Sequence, residues 1–417
     1  MATLISNIRQ LLNVRDSSTT LLHGKDLKNL PSIENAFLIA EGENIAAYGP
    51  MEQLQYAPVD FATYVDASER LVLPTWCDSH THLVFSGSRE QEFVDKIHGL
   101  SYSEIAAKGG GILNSAEKLQ QATEEDLYRQ ALKRLHEVIA LGTGAIEIKS
   151  GYGLSVEGEL KMLRVIRRLK QALPIPVRAT FLGAHAFPAH FKDDHAVYIN
   201  SIKEEMLPVI GREGLADYID VFCEKGFFSP EEMKDICLAG KSLGLTPKLH
   251  VNQLTSIGGI QAGLKLGALS LDHLETLTEE EIQLLAKSSS TICTLLPTAA
   301  FFLRMNYQPA RSLIDAGCAV ALASDFNPGS SPSGNMNFVV ALSCIQMRML
   351  PEEAINAATL NGAFAMGVES EVGSITVGKK ANLILTKPVP SLSYLPYSFG
   401  SNLIDRVMIN GSFFHPS

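Results

Sequence analysis

Eight times between residues 71 and 329 a short apolar run is followed by a stretch with helical spacing. The runs are "LVLPTWCDSH", "GAIEIKSGYG", "RATFLGAHA", "YIDVFCEKG", "PKLHVNQ", "LSLDHLE", "TICTLLP" and "VALASDFNP". Segments such as "EEDLYRQALKRLHEVIALG", "VEGELKMLRVIRRLKQAL" and "SIGGIQAGLKLG" separate them and carry apolar residues at helical spacing. Parallel strands need a crossover, usually a helix, so this alternation predicts repeated βα units. Eight units over about 300 residues fit a (β/α)8 TIM-type barrel better than a doubly wound sheet.

The two ends read differently. From residue 1 to 70 short apolar alternations are broken by turns, as at "EGEN", and the last stretch returns to that style in "GSITVGKKANLILTKP" and at Asn410-Gly411. Both ends together predict one small β-sandwich domain, 1–70 with 370–417, beside a catalytic barrel at 71–369. The insert containing "AAKGGGILNS" is expected as a loop over the barrel mouth, its glycine triplet letting backbone approach a ligand or serving only as a flexible connection.

Composition narrows the partners. The net charge of -10, without a block of Lys or Arg, argues against nucleic acid and against an anionic membrane surface. The opening "MATLISNIRQLLNVRD" lacks a signal-peptide core and no run is long enough to span a bilayer, so a cytoplasmic protein is expected. The six cysteines show no CxxC pairing and read as buried reduced thiols. Cys77 lies three residues before His80, on the opposite face of a strand, which argues against a ligand role.

Polar residues sit at the carboxyl ends of the apolar runs, the barrel face that holds active sites. His80 and His82 end the first run and, two apart, point the same way. Tyr152 follows the second, and His185, Glu224, His250 and His273 end the third to sixth; Asp325 ends the eighth. Singly, each could be a hydrogen-bonded core histidine or a helix cap. Converging on one rim, they are hard to explain by packing. Three imidazoles and a carboxylate suit zinc or ferrous iron and not magnesium or calcium. Such an ion acidifies water and polarises a carbonyl, which is the chemistry of hydrolysis.

"DSHTHLVFSGSRE", "EIKSGYG", "FLGAHA", "KLHVNQL", "LDHLE" and "SDFNPGSSP" together resemble the imidazolonepropionase family of the amidohydrolase superfamily. The resemblance runs through nearly the whole chain. It implies hydrolytic opening of 4-imidazolone-5-propanoate to N-formimidoyl-L-glutamate in histidine degradation. It also implies one metal ion per chain, zinc or iron, held by His80, His82, His250 and Asp325. By the same resemblance Asp325 takes a proton from the attacking water, and His273 polarises the carbonyl or stabilises the oxyanion. Arg89 then contacts the substrate, and a guanidinium can hold a propionate carboxylate in a bidentate pair. Without the resemblance, Arg89 would read as a surface ion pair with Glu90 or Glu92. Tyr152 and His185 match ring- and carboxylate-contacting positions. Asn327, Gly329 and Ser330 match a loop that offers donors to the substrate's carboxylate end. The resemblance also implies a homodimer.

Gln253 is a departure. Deaminases of the superfamily carry glutamate there to shuttle protons, which a neutral amide cannot do; Gln253 is therefore expected to position substrate. Lys225 should point away if Glu224 points in, and Lys149 belongs to the second strand, so a lysine-bridged second metal is not supported. A deaminase or cyclic-ureide hydrolase would share the barrel, but Gln253 and "NPGSSP" argue against a deaminase. A non-catalytic barrel would have lost ligands, and none is lost.

Overall fold

The structure, a computed structural model, describes residues 2–100, 104, 110–192 and 194–415. Its chain forms two sheets of eight strands each. In the barrel the strands are β6 (Trp76–Asp78), β7 (Thr143–Lys149), β8 (Val177–Ala184), β9 (Tyr218–Cys223), β10 (Thr246–Val251), β11 (Ser270–His273), β12 (Ile292–Leu295) and β13 (Val320–Leu322), following one another in sequence order. Every neighbouring pair is parallel. Helices such as Glu124–Ala140 and Val156–Ala172 make the crossovers, each opened by a hydroxyl cap, Thr123 and Ser155. Strands covered on both faces carry long apolar runs, and β7 is buried at every residue.

Among the described residues the barrel closes at its carboxyl end. Thr81 and Phe326 form a parallel bridge, the His82 N–H donates to the Phe326 carbonyl at 2.9 Å, and the Asp325 N–H donates to the His80 carbonyl at 3.0 Å. Asp78 completes the seam by accepting from the Ser324 N–H and hydroxyl at 2.9 and 2.6 Å. Burial pushes the Asp78 carboxyl up to about 7.

The terminal layer, expected as a sandwich, is by its hydrogen bonding one mixed sheet. Its strands are β1 (Ala2–Leu12), β2 (Ser32–Glu41), β3 (Asn44–Pro50), β4 (Thr63–Asp66), β5 (Leu71–Pro74), β14 (Leu383–Thr386), β15 (Ile404–Ile409) and β16 (Ser412–Phe413). β1 bulges between Ile5 and Ile8, so its first half pairs with β4 and its second with β5.

Two expectations are corrected here. "LVLPTWCDSH" is not one strand: residues 71–74 belong to the terminal sheet and 76–78 to the barrel. Pro74 offers no N–H to continue the ladder, and the chain changes sheets beside it. "GSITVGKKANLILTKP" yields one strand, with Ile375 and Lys380 making only isolated bridges to Val14 and Asn44. The "EGEN" and Asn410-Gly411 turns form as expected, the latter with both residues at positive φ. Of the glycine triplet, Gly109 lies outside the described residues; Gly111 opens the helix Ile112–Gln121 at φ 87°. Among the described residues no helix is long and apolar enough to cross a membrane.

Candidate metal centre

The seam between the first and last barrel strands puts His80 and His82 against Asp325. Asp325 Oδ1 lies 3.6 Å from His80 Nε2 and 3.5 Å from His82 Nε2. His250, from β10, brings its ring centroid to 4.4 Å from His80 and 5.4 Å from His82. His273 stands 5.1 Å from His250 and 5.7 Å from His80, again between centroids. The potential ligand atoms of His80, His82 and His250 all lie within 4.8 Å of one another, as do those of His80, His273 and Asp325. His273, Leu274 and Asp325 adopt φ of 84°, 64° and 52°, a left-handed backbone costly for side-chain-bearing residues.

Each of two imidazoles is held by its far nitrogen. His80 Nδ1 meets Asp272 Oδ2 at 2.6 Å, and His250 Nδ1 meets Asp220 Oδ2 at 2.7 Å. That arrangement fixes the tautomer and aims Nε2 inward. His80 Nε2 is buried without a hydrogen-bond partner. A buried polar atom left unpaired is expensive unless something else binds it. Ligands about 2.1 Å from a tetrahedral ion stand about 3.4 Å apart, close to the separations at Asp325. The donor set therefore fits a metal ion. Burial first, and then the neighbouring cationic groups, hold His80, His82 and His250 well below the usual imidazole range, so they stay neutral and keep lone pairs to give. Burial pushes Asp325 up to about 6 against the pull of His273. At His273 burial opposes charge, but Glu275 outweighs it and the imidazole is raised.

Residues 71–413 match the amidohydrolase family. The chain is 58% identical to an imidazolonepropionase of Flavobacterium johnsoniae over 99% of both chains, and 44% identical to one of Clostridium tetani over 93% of both. It belongs to the imidazolonepropionases of the amidohydrolase family. Among solved structures, Escherichia coli guanine deaminase superposes with a TM-score of 0.74 at 14% identity, covering 100% of this chain and 99% of its own. An adenosine deaminase from Xanthomonas campestris with bound zinc gives 0.68 at 17%, over 99% and 92%. At that identity they share the fold alone.

Around this amidohydrolase centre the other expected residues fall into two groups. Tyr152 and His185 are brought in: the His185 ring stacks on His82 at 5.3 Å, and Tyr152 packs edge-on to both. Burial pushes His185 down to about 4 and raises Tyr152. Arg89 packs against the turn at Gly329, where a Cβ would collide with its Nη1. Its Nε and Nη2 are spent on Glu92 at 2.9 and 2.6 Å, the ion pair that the bare residues suggested.

Asn327, Gly329 and Ser330 form a turn that satisfies itself: Asn327 Oδ1 accepts from the Gly329 and Ser330 N–H groups, both at 2.8 Å. Ser330 Oγ reaches Asp325 Oδ2 at 3.3 Å. Gln253 is half-buried just past β10, with no side-chain hydrogen bond among the described residues. Glu224 accepts the Leu254 and Thr255 N–H groups, at 2.8 and 3.0 Å, and so ties the loop after β10. Cys77 is buried against Ala145, Ala363 and Met366, clear of the imidazoles.

Sequence reasoning missed Glu275, whose Oε1 meets His273 Nδ1 at 3.3 Å and accepts from Gln308 Nε2 at 2.9 Å. It also missed the charges beneath the centre, Glu147, Lys149, Asp220, Lys248 and Asp272. Their signal was present: a charged residue inside an apolar strand, two places before another polar one, as in "IEIK" and "KLH".

Proposed function

We propose that this chain is an imidazolonepropionase that opens the cyclic amide of 4-imidazolone-5-propanoate to N-formimidoyl-L-glutamate in histidine degradation. The observation that carries the reading is the 58% identity to such an enzyme across 99% of both chains. His80, His82, His250 and Asp325 would hold one ion, zinc or iron. When bound, such an ion acidifies water and polarises the carbonyl under attack.

The protein's own groups do the rest. Asp325 faces the space between the imidazoles, 3.5–3.6 Å from two of them, and accepts the proton lost by the attacking water. The proton it holds is then available to the departing ring nitrogen. His273, whose Nδ1 faces Glu275 and whose imidazole is raised by it, donates to the carbonyl oxygen as negative charge develops there. Arg89 pairs with the propionate, while Tyr152 and His185 form the wall along the ring. Asn327, Gly329 and Ser330 shape the carboxylate end and steady Asp325 through Ser330. Gln253 orients the ring by hydrogen bonds without carrying a proton. The enzyme is proposed to work in the cytoplasm as a homodimer, where its free cysteines stay reduced.

The test is a panel assay of purified enzyme with freshly generated imidazolone propanoate beside hydantoins and aminopurines. Turnover of the imidazolone at least about 100-fold above every other compound is expected. Preference for an aminopurine would overturn the assignment.

A further inference from the structure

The interior of a (β/α)8 barrel is usually filled by branched aliphatic side chains. Here Lys149 stands among Glu147, Asp220 and Asp272, all with wholly buried side chains. Burying such charges costs much desolvation, so their arrangement needs a reason beyond filling space. Lys149 Nζ lies 2.7 Å from Glu147 Oε1; of the other two carboxylates, Asp220 Oδ2 is 2.9 Å away and Asp272 Oδ2 3.5 Å. Those are the same two oxygens that meet His250 Nδ1 at 2.7 Å and His80 Nδ1 at 2.6 Å. One ammonium thus hydrogen-bonds the carboxylate behind His250 and makes a longer ion pair with the one behind His80. Lys248, the neighbouring buried cation, donates to the Ala365 carbonyl at 2.7 Å and lies 2.9 Å from Glu147 Oε2; its charge also favours the Asp272 carboxylate, but it makes no ion pair with Asp220 or Asp272 among the described residues.

We propose that Lys149 is a positioning residue for the metal centre: by bridging Asp220 and Asp272 it sets the His250 and His80 imidazoles as a pair. The proposal rests on the metal-site reading above. It accounts for a lysine placed where its charge alone would weaken cation binding. The energetic logic is that two independently mobile carboxylates would each have to be ordered when the ion binds, whereas the bridge orders them beforehand.

The decisive measurement is metal affinity, read by chelator competition with zinc(II) and by the visible spectrum of the cobalt(II) form. Lys149→Met is expected to weaken zinc binding about 10–100-fold and to shift the cobalt spectrum, the usual scale for losing support behind a ligand. Glu147→Gln/Lys149→Met removes one charge of each sign, keeps the interior balance, and is expected to show the same loss with a folded apoprotein. Affinity within about twofold of the parent and an unchanged spectrum, in either variant that folds, overturns the proposal. So does tighter binding, the result expected if Lys149 only repels the ion. Should neither fold, Lys149→Gln decides by the same criterion, because it removes the ammonium while leaving Asp220 and Asp272 on their imidazoles. His82→Ala is run alongside: zinc held there as tightly as in the parent sinks the metal reading itself, a result distinct from any failure of Lys149.

Discussion

The two eight-stranded sheets of this molecule are filled in opposite ways. The terminal sheet buries Ile5, Ile8, Leu11, Leu38, Val72, Leu385 and Met408 in one apolar cluster. The barrel interior buries Glu147, Lys149, Asp220, Lys248 and Asp272, none more than 1% exposed. Apolar packing is non-directional and tolerates small shifts, whereas a carboxylate between a lysine and an imidazole has one geometry in which all its bonds are made. The terminal sheet can therefore be read as stability. The barrel interior gives up easy stability for the aim of its histidines.

The sharpest way to break this contrast is to strike the centre and look for a structural consequence. Asp325→Ala removes a proposed ligand and the proton acceptor together, so kcat/KM should fall by at least about 1,000-fold, while the apoprotein's melting temperature stays close to the parent's. A near-normal rate would falsify the mechanism. His273→Asn should come next, with kcat down about 100–1,000-fold and KM little changed, because the lost interaction matters only as charge develops. If KM rose as much as kcat fell, His273 would be a binding group instead.

The contrast also explains what could be read from the chain. Strand number and order were legible because each strand is an apolar run bounded by helical spacing. The rim residues were legible because His80, His82, His250 and Asp325 interrupt those runs at their carboxyl ends. The split at Pro74 was not, since both halves of "LVLPTWCDSH" are equally buried and the change of sheet depends on which neighbour accepts the strand. The interior charges were legible only as charges inside apolar strands, at "IEIK" and "KLH"; which of them meet depends on contacts between β7, β9, β10 and β11 that no local spacing encodes. Arg89 shows the limit from the other side: its ion pair with Glu92 could be read from neighbouring residues, whereas its approach to Gly329, 240 positions on, could not.

Leu38→Ala sharpens the comparison from the terminal side. Leu38 is fully buried, and the truncation should cost about 2–5 kcal/mol of stability through lost transfer energy and the cavity left behind. Denaturant unfolding should show the loss, while kcat, KM and zinc affinity of the folded fraction stay within about twofold of the parent. A large change in zinc affinity would mean that the two sheets are coupled and that the division drawn between them is false.

The smallest expected effect is the most specific. In the structure Arg89 presents Nε and Nη2 to Glu92, which is itself fixed by the Gly111 N–H at 2.9 Å, and turns Nη1 towards Gly329. The guanidinium is thus braced on one edge by Glu92, the arrangement that lets its remaining Nη1 receive a carboxylate without first being ordered. Arg89→Ala should raise KM about 10–100-fold, the worth of charge-assisted hydrogen bonds, with kcat changed far less. Replacing the substrate's carboxylate by a carboxamide should cost the parent enzyme a similar factor and the variant almost nothing. If the variant still discriminates between the two compounds, the carboxylate is held elsewhere, and the turn at Asn327–Ser330, whose backbone donors are already engaged by Asn327, would have to open to receive it.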